Sequence, residues 1–360
     1  ETFSSEERGR ALGLQMSAVG SGGVAGPILG GLIVGTVGWQ GVFLASAVLG
    51  LIAIVAAQIV LLKRPEEAET RRVDFDWLGA GLSSLVLITF LLAVSNGATL
   101  GWTSPAILIA AVAVVALLAA FIRWEVVSSD PMLDLRLFRR PLFAFGALTR
   151  FISFLGVSAV RFLMPFYLQV VRGYTAGQVG LFVVPSAAAM ILTGPLGGRL
   201  SDRFGWRLPS VSGLMLSALG LLVLSQVSEL TPLWLVVVAM VVQSTGSGIF
   251  GAPNSSAVLS AVEREGYGVA SGFLNLVRNA GNVTGIAVAT AVVTAVMSSH
   301  GVGPNLAEVA ERAEPQALMA FVSGLRFAYG TAAAAVLLGA FLSLSLKDYR
   351  RAASSFESVS

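Results

Sequence analysis

Residues 198–207 read Gly-Arg-Leu-Ser-Asp-Arg-Phe-Gly-Trp-Arg, and they separate two apolar runs at 176–197 and 209–226. A helix of about 20 apolar residues, rising 1.5 Å per residue, crosses the roughly 30 Å hydrocarbon core of a bilayer. The pattern therefore predicts two membrane-spanning helices joined by a tight charged turn. Gly205 permits the turn geometry, and Asp202 can accept hydrogen bonds from a neighbouring helix N-terminus or pair with an arginine.

The same apolar character extends over the whole chain. Hydrophobic residues make up 55% of the 360 residues and charged residues only 12%, whereas soluble domains carry about 25% charged residues. So few charges could not cover the surface of a water-soluble protein of this size, and the composition predicts an all-α polytopic membrane protein. The lack of cysteine excludes disulfides and thiolate metal sites, and the single histidine, His300, excludes a metal centre built from several histidines.

Ten apolar segments are long enough to span a bilayer, and none has the alternating pattern of a barrel strand. They lie near residues 11–34, 39–62, 77–95, 104–122, 142–169, 176–197, 209–226, 232–251, 268–297 and 319–346. Only Thr36, Val37 and Gly38 separate the first two segments, so that boundary depends on the turn signal of Gly38-Trp39.

The loops between the segments alternate in charge. Most of the 23 basic residues fall in one set of loops, whereas the opposite set contains only Arg172 and Arg312. Basic loops remain in the cytoplasm under the positive-inside rule, so we expect both ends of the chain to be cytoplasmic, as an even number of helices requires. This orientation accounts for the net charge of +3, and we expect no nucleic-acid partner.

A second motif lies in the first apolar segment, where residues 22–31 read Gly-Gly-Val-Ala-Gly-Pro-Ile-Leu-Gly-Gly. Gly22, Gly26 and Gly30 stand four residues apart and form a stripe on one helix face, where another backbone can approach closely. Pro27 removes a backbone donor and bends the helix. Ordinary packing of small residues produces the same glycine spacing, but the pair Gly30-Gly31 after Gly26-Pro27 is more specific.

Both motifs resemble motifs of the major facilitator superfamily. Residues 22–31 resemble its antiporter motif, Gly-x-x-x-Gly-Pro-x-x-Gly-Gly, and residues 198–207 resemble its signature loop, Gly-x-Leu-x-Asp-Arg-x-Gly-x-Arg. The matching residues of the signature loop are Gly198, Asp202, Arg203, Gly205 and Arg207. The resemblance implies a bundle of helices with inverted repeats, in which the signature loop acts as a conformational latch between the two halves. A cytoplasmic turn with no further role is the alternative for residues 198–207.

The position of the signature loop resembles the 14-span drug:proton antiporter branch of that family, which has six, two and six spans. The chain begins with Glu1 and has no signal-peptide pattern, so we expect a fragment that lacks the first four spans. The expected parts are the last two spans of the N-terminal half at 1–62, a cytoplasmic loop and two linker spans at 63–124, the C-terminal six-helix half at 125–351, and a disordered cytoplasmic tail at 352–360.

Charged and amide side chains within the predicted spans are candidate contacts for a substrate or for the coupling group, because a charge at the centre of a span costs about 2.5–3.5 kcal/mol. Arg150 and Arg161 lie eleven residues apart, which places them on one helix face. Asn275, Arg278 and Asn282 form a second polar stripe. Snorkelling to the cytoplasmic headgroups is the alternative for Arg150 and much of this stripe, whereas Arg161 lies deeper.

Arg326 stands alone in its span, and its position leaves both a surface and an interior role open. All 20 acidic residues fall outside the predicted spans. The resemblance implies that the carboxylate that carries the coupling proton lies in the early spans that the chain lacks. We therefore expect Arg161 and Arg278 either to pair with those carboxylates or to contact an anionic substrate.

The expected function is proton-coupled efflux of drug-like or amphiphilic compounds by alternating access. The expected partners are the small-molecule substrate, protons and the lipid bilayer, with the proton gradient in place of a cofactor and no metal, in a monomer of the plasma (inner) membrane. A transporter of another small solute, such as an organic anion or a metabolite, and a transport-inactive fragment are the alternatives. No catalytic residues are expected, because no predicted span contains the clustered groups that a membrane enzyme needs.

Overall fold

The computed structural model describes residues 22, 25–26, 29–61, 76–101, 103–128, 135–263, 266–303 and 314–345. These residues are almost entirely helical, and no strand occurs among them. Nine described helices are long and apolar enough to cross a membrane, so the predicted all-α polytopic fold is confirmed. Their bounds are α1 Trp39–Leu61, α2 Trp77–Leu100, α3 Pro105–Val127, α4 Pro141–Phe166, α5 Ala176–Phe204, α6 Arg207–Leu224, α7 Leu233–Ser260, α8 Tyr267–Ser299 and α9 Pro315–Ser345.

Local sequence signals mark where the helices begin and end. The side chain of Asp76 caps α2 by accepting a hydrogen bond from the backbone N–H of Gly79 at 2.8 Å. Pro105 and Pro141 occupy the first turns of α3 and α4, where a missing N–H does no harm. Gly38, with φ +92°, separates α1 from the helical residues 29–36, as the turn signal predicted. Most of the predicted segment at 11–34 lies outside the described residues.

The described residues fall into two units by their contacts. One contains the described part of residues 1–75 together with Tyr174–Val184, and the other contains the described part of Asp76–Gly173 and Pro185–Ser360. The second unit holds the core of the protein, in which α4 packs against α8, α9 and α7, and α6 packs against α7 and α9.

Small residues allow α6 and α7 to pack closely. A Cβ placed on Gly213 would lie 2.7 Å from the carbonyl oxygen of Gly246, and one on Gly220 would lie 2.5 Å from the backbone nitrogen of Gln243. Between these two contacts the buried Gln243 amide reaches the hydroxyl of Ser217 at 3.3 Å and that of Ser247 at 3.1 Å. Backbone proximity and hydrogen bonds thus replace the hydrophobic effect that would join these helices in water.

The far end of α4 is irregular. Pro165 lies in its last turn, and the π-helical turn Tyr167–Val171 follows it. The hydroxyl of Tyr167 donates to the backbone oxygen of Ser228 at 2.8 Å, and Arg172 donates to that of Thr231 at 2.5 Å. These bonds hold the end of α4 against the loop between α6 and α7.

Candidate functional site

The candidate site is built on the contact between α4 and α8. A Cβ placed on Gly281 would lie 2.6 Å from the carbonyl oxygen of Phe151, and one on Gly285 would lie 2.5 Å from that of Leu155. The backbones therefore touch at both positions. Because the contact advances by four residues in the same direction on each helix, α4 and α8 run parallel.

Arg150 lies beside this contact and joins three helices. Its Nη1 donates to the hydroxyl of Ser255 on α7 at 2.8 Å, and its Nε donates to the backbone oxygen of Leu274 on α8 at 3.2 Å. Its guanidinium carbon also lies 5.7 Å from the centre of the Phe154 ring. The side chain is half-buried, and its hydrogen bonds connect α4 to α7 and α8.

Arg161 and Arg278 have fewer contacts than Arg150. Arg161 is exposed, and its one side-chain hydrogen bond to a described residue is to the sulfur of Met190 on α5 at 3.4 Å. Arg278 is half-buried on α8, and no described residue forms a hydrogen bond or an ion pair with its guanidinium. Arg278 lies one helical turn before Gly281, whose backbone contacts that of Phe151, the residue after Arg150.

Arg150, Arg161 and Arg278, which we call the cation cluster, lie on the two contacting helices α4 and α8, with Arg150 and Arg161 about 16 Å apart along α4. Asn275 and Asn282 extend the cluster along α8, the first exposed and the second half-buried. Neither amide makes a side-chain hydrogen bond with another described residue. The amide N–H groups of Asn275 and Asn282 and the charges of Arg161 and Arg278 could therefore bind an anionic or polar group.

The residues of the signature motif do not all lie in a loop, and that expectation was wrong. Helix α5 continues through Gly198, Asp202 and Arg203 and ends at Phe204. The turn consists of Gly205, with φ +83°, and Trp206. The helix continues through Gly198, Ser201 and Asp202 in spite of their low helix propensity, and it ends before Gly205, which adopts the left-handed conformation.

Two arginines of the motif have defined contacts. The guanidinium of Arg203 is exposed, and its central carbon lies 5.3 Å from the centre of the Phe204 ring. Arg207 donates a hydrogen bond to the backbone oxygen of Leu344. That oxygen belongs to the last turn of α9, where a cation interacts favourably with the helix dipole. Arg207 thus fastens the start of α6 to the end of α9.

The described glycines of the antiporter motif differ in their surroundings. Among the described residues, a Cβ placed on Gly22, Gly26 or Gly30 meets nothing within 4 Å, whereas one on Gly31 would lie 2.9 Å from the backbone oxygen of Ala176. The close approach to another described helix is therefore at the last glycine of the motif, which points to a different side of the helix from the stripe. Pro27 lies outside the described residues.

The prediction that no acidic residue lies within a span was also wrong. Helix α3 extends to Val127, beyond the predicted end at 122, and it includes Glu125, whose side chain is only 3% exposed. Glu125 lies against Gly79, where an added Cβ would be 3.0 Å from its Oε1. The apolar residues on both sides of Glu125 favour a longer helix. The charges of Arg123 and Glu125 led instead to a predicted end at 122.

Comparison with known proteins identifies the family and agrees with the fold. The family model described as Major Facilitator Superfamily matches residues 1–286. The multidrug resistance protein Stp of Mycobacterium tuberculosis is 33% identical over 310 residues, which are 86% of this chain and 56% of Stp. The riboflavin transporter RibZ of Clostridioides difficile is 31% identical over 280 residues, which are 77% of this chain and 59% of RibZ. The chain thus spans less than two thirds of the length of either relative.

A solved structure has a similar fold. It is the crystal structure of a bacterial homologue of the human lysosomal transporter Spinster, in an inward-facing and occupied conformation. The two structures superpose with a TM-score of 0.55 at 16% identity, over 95% of this chain and 70% of the homologue. At this identity the likeness concerns the fold alone.

Proposed function

Because the chain belongs to the major facilitator superfamily, we propose that it forms part of a transporter that moves a small molecule across the plasma membrane by alternating access. In this mechanism two helical halves rock around a central site near the middle of the bilayer. We propose that the described residues from α4 to α9 belong to one such half, that α2 and α3 are linker spans, and that the whole protein is a monomer of 14 spans.

The observation that carries this proposal is the environment of Arg161 and Arg278. Both lie within membrane-length helices, and no described carboxylate forms an ion pair with either of them. An uncompensated cation at membrane depth is expensive, so it needs a water-filled cavity, a substrate or a carboxylate from another part of the protein. We propose that these two arginines line the transport pathway and that Arg150 holds their helices in place.

We further propose that transport is efflux of amphiphilic compounds driven by proton entry. The names of the relatives support this choice, because Stp is named a multidrug resistance protein. The antiporter motif at residues 22–31 supports the direction of transport by resemblance to other family members. The basic residues of the signature motif support an orientation with the turn at Gly205 in the cytoplasm. We propose that the coupling carboxylate lies in spans beyond those of this chain.

A second candidate is the export of an organic anion or a similar polar metabolite. The cation cluster favours it, because three guanidinium groups create a positive potential that attracts anionic cargo. The name of RibZ, a riboflavin transporter, shows that a relative of similar identity is associated with a metabolite and not with a drug.

Transport assays with the full-length protein in everted membrane vesicles test both candidates. Arg161→Gln and Arg278→Gln are compared with Arg139→Gln, which removes the same charge from an exposed 3-10 turn outside the cluster. We expect each cluster variant to reduce uptake of ethidium, or of an anionic dye such as carboxyfluorescein, at least tenfold while Arg139→Gln has no effect. Equal transport by all three variants, with either dye, would contradict the role of the cluster.

An uncoupler added to the same vesicles tests the driving force. If proton entry drives transport, collapse of the pH gradient stops dye uptake by the unmodified protein. Uptake that continues at the same rate without the gradient would overturn proton coupling and leave the assignment of the cluster untouched.

A further inference from the structure

A groove of about 550 Å³ lies between α6 and α9, away from the cation cluster. Ser225 and Gln226, which directly follow α6, form one end of it together with Arg326 of α9. Phe327, Gly330 and Ala334 continue it along α9. Since these α9 residues are spaced by three or four positions, they share one face of the helix.

The polar end of the groove has unused hydrogen-bond donors. Arg326 is exposed, and its Nε donates to the backbone oxygen of Ser225 at 3.1 Å, while its Nη2 lies 3.5 Å from Oε1 of Gln226. A guanidinium has five N–H donors. No other hydrogen bond or ion pair joins Arg326 to the described residues. The anchored guanidinium therefore keeps donors and a full charge for an anion.

The rest of the groove is open and has fewer polar groups: Ser323 and Thr331 also line it, and the Thr331 hydroxyl donates to the backbone oxygen of Ala328 within α9 at 2.9 Å. A Cβ placed on Gly330 would meet nothing within 4 Å. From Arg326 to Ala334 the helix rises about 12 Å, away from the residues that follow α6. The groove thus has a cationic, donor-rich end at the level where α6 ends and a less polar channel that continues from there along α9.

The helix faces around the groove are those of a lipid-exposed surface. On α9 the exposed side chains include Phe327 at 63% and Leu338 at 57%, and on α6 they include Leu219 at 52% and Leu222 at 42%. Exposed apolar side chains of this size pack against hydrocarbon or against a further helix in a membrane, and we assign this face to hydrocarbon. A molecule that enters the groove from the side therefore comes from the bilayer.

From this geometry we propose that the groove is a binding site for a phospholipid, whose phosphate contacts Arg326 and whose acyl chain lies along Gly330 and Ala334. The proposed orientation of the chain places this lipid in the outer leaflet. The site is separate from the transport pathway proposed above and does not depend on it. It recognises the phosphate, so phosphatidylglycerol and phosphatidylethanolamine both bind, whereas diacylglycerol does not.

Native mass spectrometry of the purified full-length protein tests the proposal with phosphatidylglycerol, phosphatidylethanolamine and diacylglycerol as probes. Arg326→Gln removes the phosphate contact, and Gly330→Phe fills the channel without changing the charge. We expect Arg326→Gln to lower the ratio of phosphatidylglycerol-bound to free protein about tenfold, the effect of one lost charge-assisted contact, and Gly330→Phe to lower it as well, because the ring occupies the place of the acyl chain. We expect Arg326→Lys to retain part of the binding.

Two controls separate this site from general attraction between lipids and the protein. Arg139→Gln removes one positive charge elsewhere, and Leu338→Phe adds bulk to the same apolar face of α9 outside the groove; both should bind lipid like the unmodified protein. Equal lipid retention by Arg326→Gln and Arg139→Gln would overturn the proposal. Displacement of the lipid by millimolar inorganic phosphate, or equal binding of diacylglycerol, would also overturn it, because the site would then recognise free phosphate or any acyl chain.

Discussion

Asp76 and Trp124 join the two ends of the helical hairpin α2–α3 by a hydrogen bond of 2.8 Å from the indole Nε1 to the carboxylate Oδ1. The same oxygen accepts the hydrogen bond from Gly79 that caps α2. One carboxylate therefore fixes both the start of α2 and its distance from the end of α3, with the buried Glu125 next to it.

Trp124→Phe tests this bond, because it removes the N–H and keeps the aromatic ring. A hydrogen bond to a charged group contributes about 1.5–3 kcal/mol, so we expect the free energy of unfolding to fall by about 2 kcal/mol. Thermal unfolding of the purified protein in detergent measures the change. Trp234→Phe is the matched control, since Trp234 is 66% exposed. Equal melting temperatures of the two variants would exclude a stabilising role for the bond.

Gly285→Ala tests the contact between α4 and α8. The added methyl group would lie 2.5 Å from the carbonyl oxygen of Leu155, so the helices must separate, at a cost of about 1–3 kcal/mol. Gly268→Ala on the same helix adds a methyl group where nothing lies within 4 Å. We expect a lower melting temperature and lower yield for Gly285→Ala only. A loss of the same size in both variants would exclude the contact with Leu155 as its cause, because Ala favours a helix more than Gly and the substitution by itself does not destabilise α8.

We expect Arg150→Met to lower the stability of the protein and Arg161→Met to leave it nearly unchanged. Arg150 loses two hydrogen bonds that join α4 to α7 and α8, so we expect about 2 kcal/mol of lost stability. Arg161 loses only a weak contact to a sulfur, so its variant should unfold within about 0.5 kcal/mol of the unmodified protein. Thermal unfolding combined with dye transport in vesicles measures both effects. A destabilised Arg161→Met protein would show that Arg161 is a structural residue.

Gly205→Ala tests the turn of the signature motif. Gly205 has a φ of +83°, and a Cβ in this region costs about 1–2 kcal/mol. Asn tolerates the left-handed conformation better than Ala, so we expect Gly205→Asn to recover part of the lost stability. Gly198→Ala, whose Cβ would make ordinary contact with Ala252 at 3.8 Å, is the control. If the Gly205→Ala protein is more stable than the Gly205→Asn protein, backbone strain at residue 205 is not the cause of the lost stability.

The fold could be predicted largely from sequence, because the length and composition of a spanning helix are set by the bilayer. The apolar runs located most bounds of α1 through α9 to within five residues, and Gly38 marked the boundary before α1, but α5 continues seven residues beyond 197 and α7 nine residues beyond 251. The ends of helices were less predictable. Charges near the headgroups are tolerated within a helix, so Glu125 and Asp202 lie in helical turns that the sequence analysis assigned to loops.

The candidate site could be predicted only in part. Helical periodicity identified the polar faces that carry Arg161 and Arg278, because periodicity depends on a single helix. The contacts of Arg150 with Ser255 and Leu274 involve three helices that are distant in sequence, and no local pattern contains that information. Arg326 was left open for the same reason, since its partners at 225 and 226 lie about 100 positions away.

The close packing of α6 on α7 has a consequence for biogenesis. Its contacts between Gly213 and Gly246, and its hydrogen bonds among Ser217, Gln243 and Ser247, join two helices that are adjacent in the chain. This hairpin can therefore assemble as soon as α7 leaves the translocon, before α8 and α9 have been synthesised. Early pairing shields the Gln243 amide from lipid during insertion and provides a preformed surface on which α9 docks.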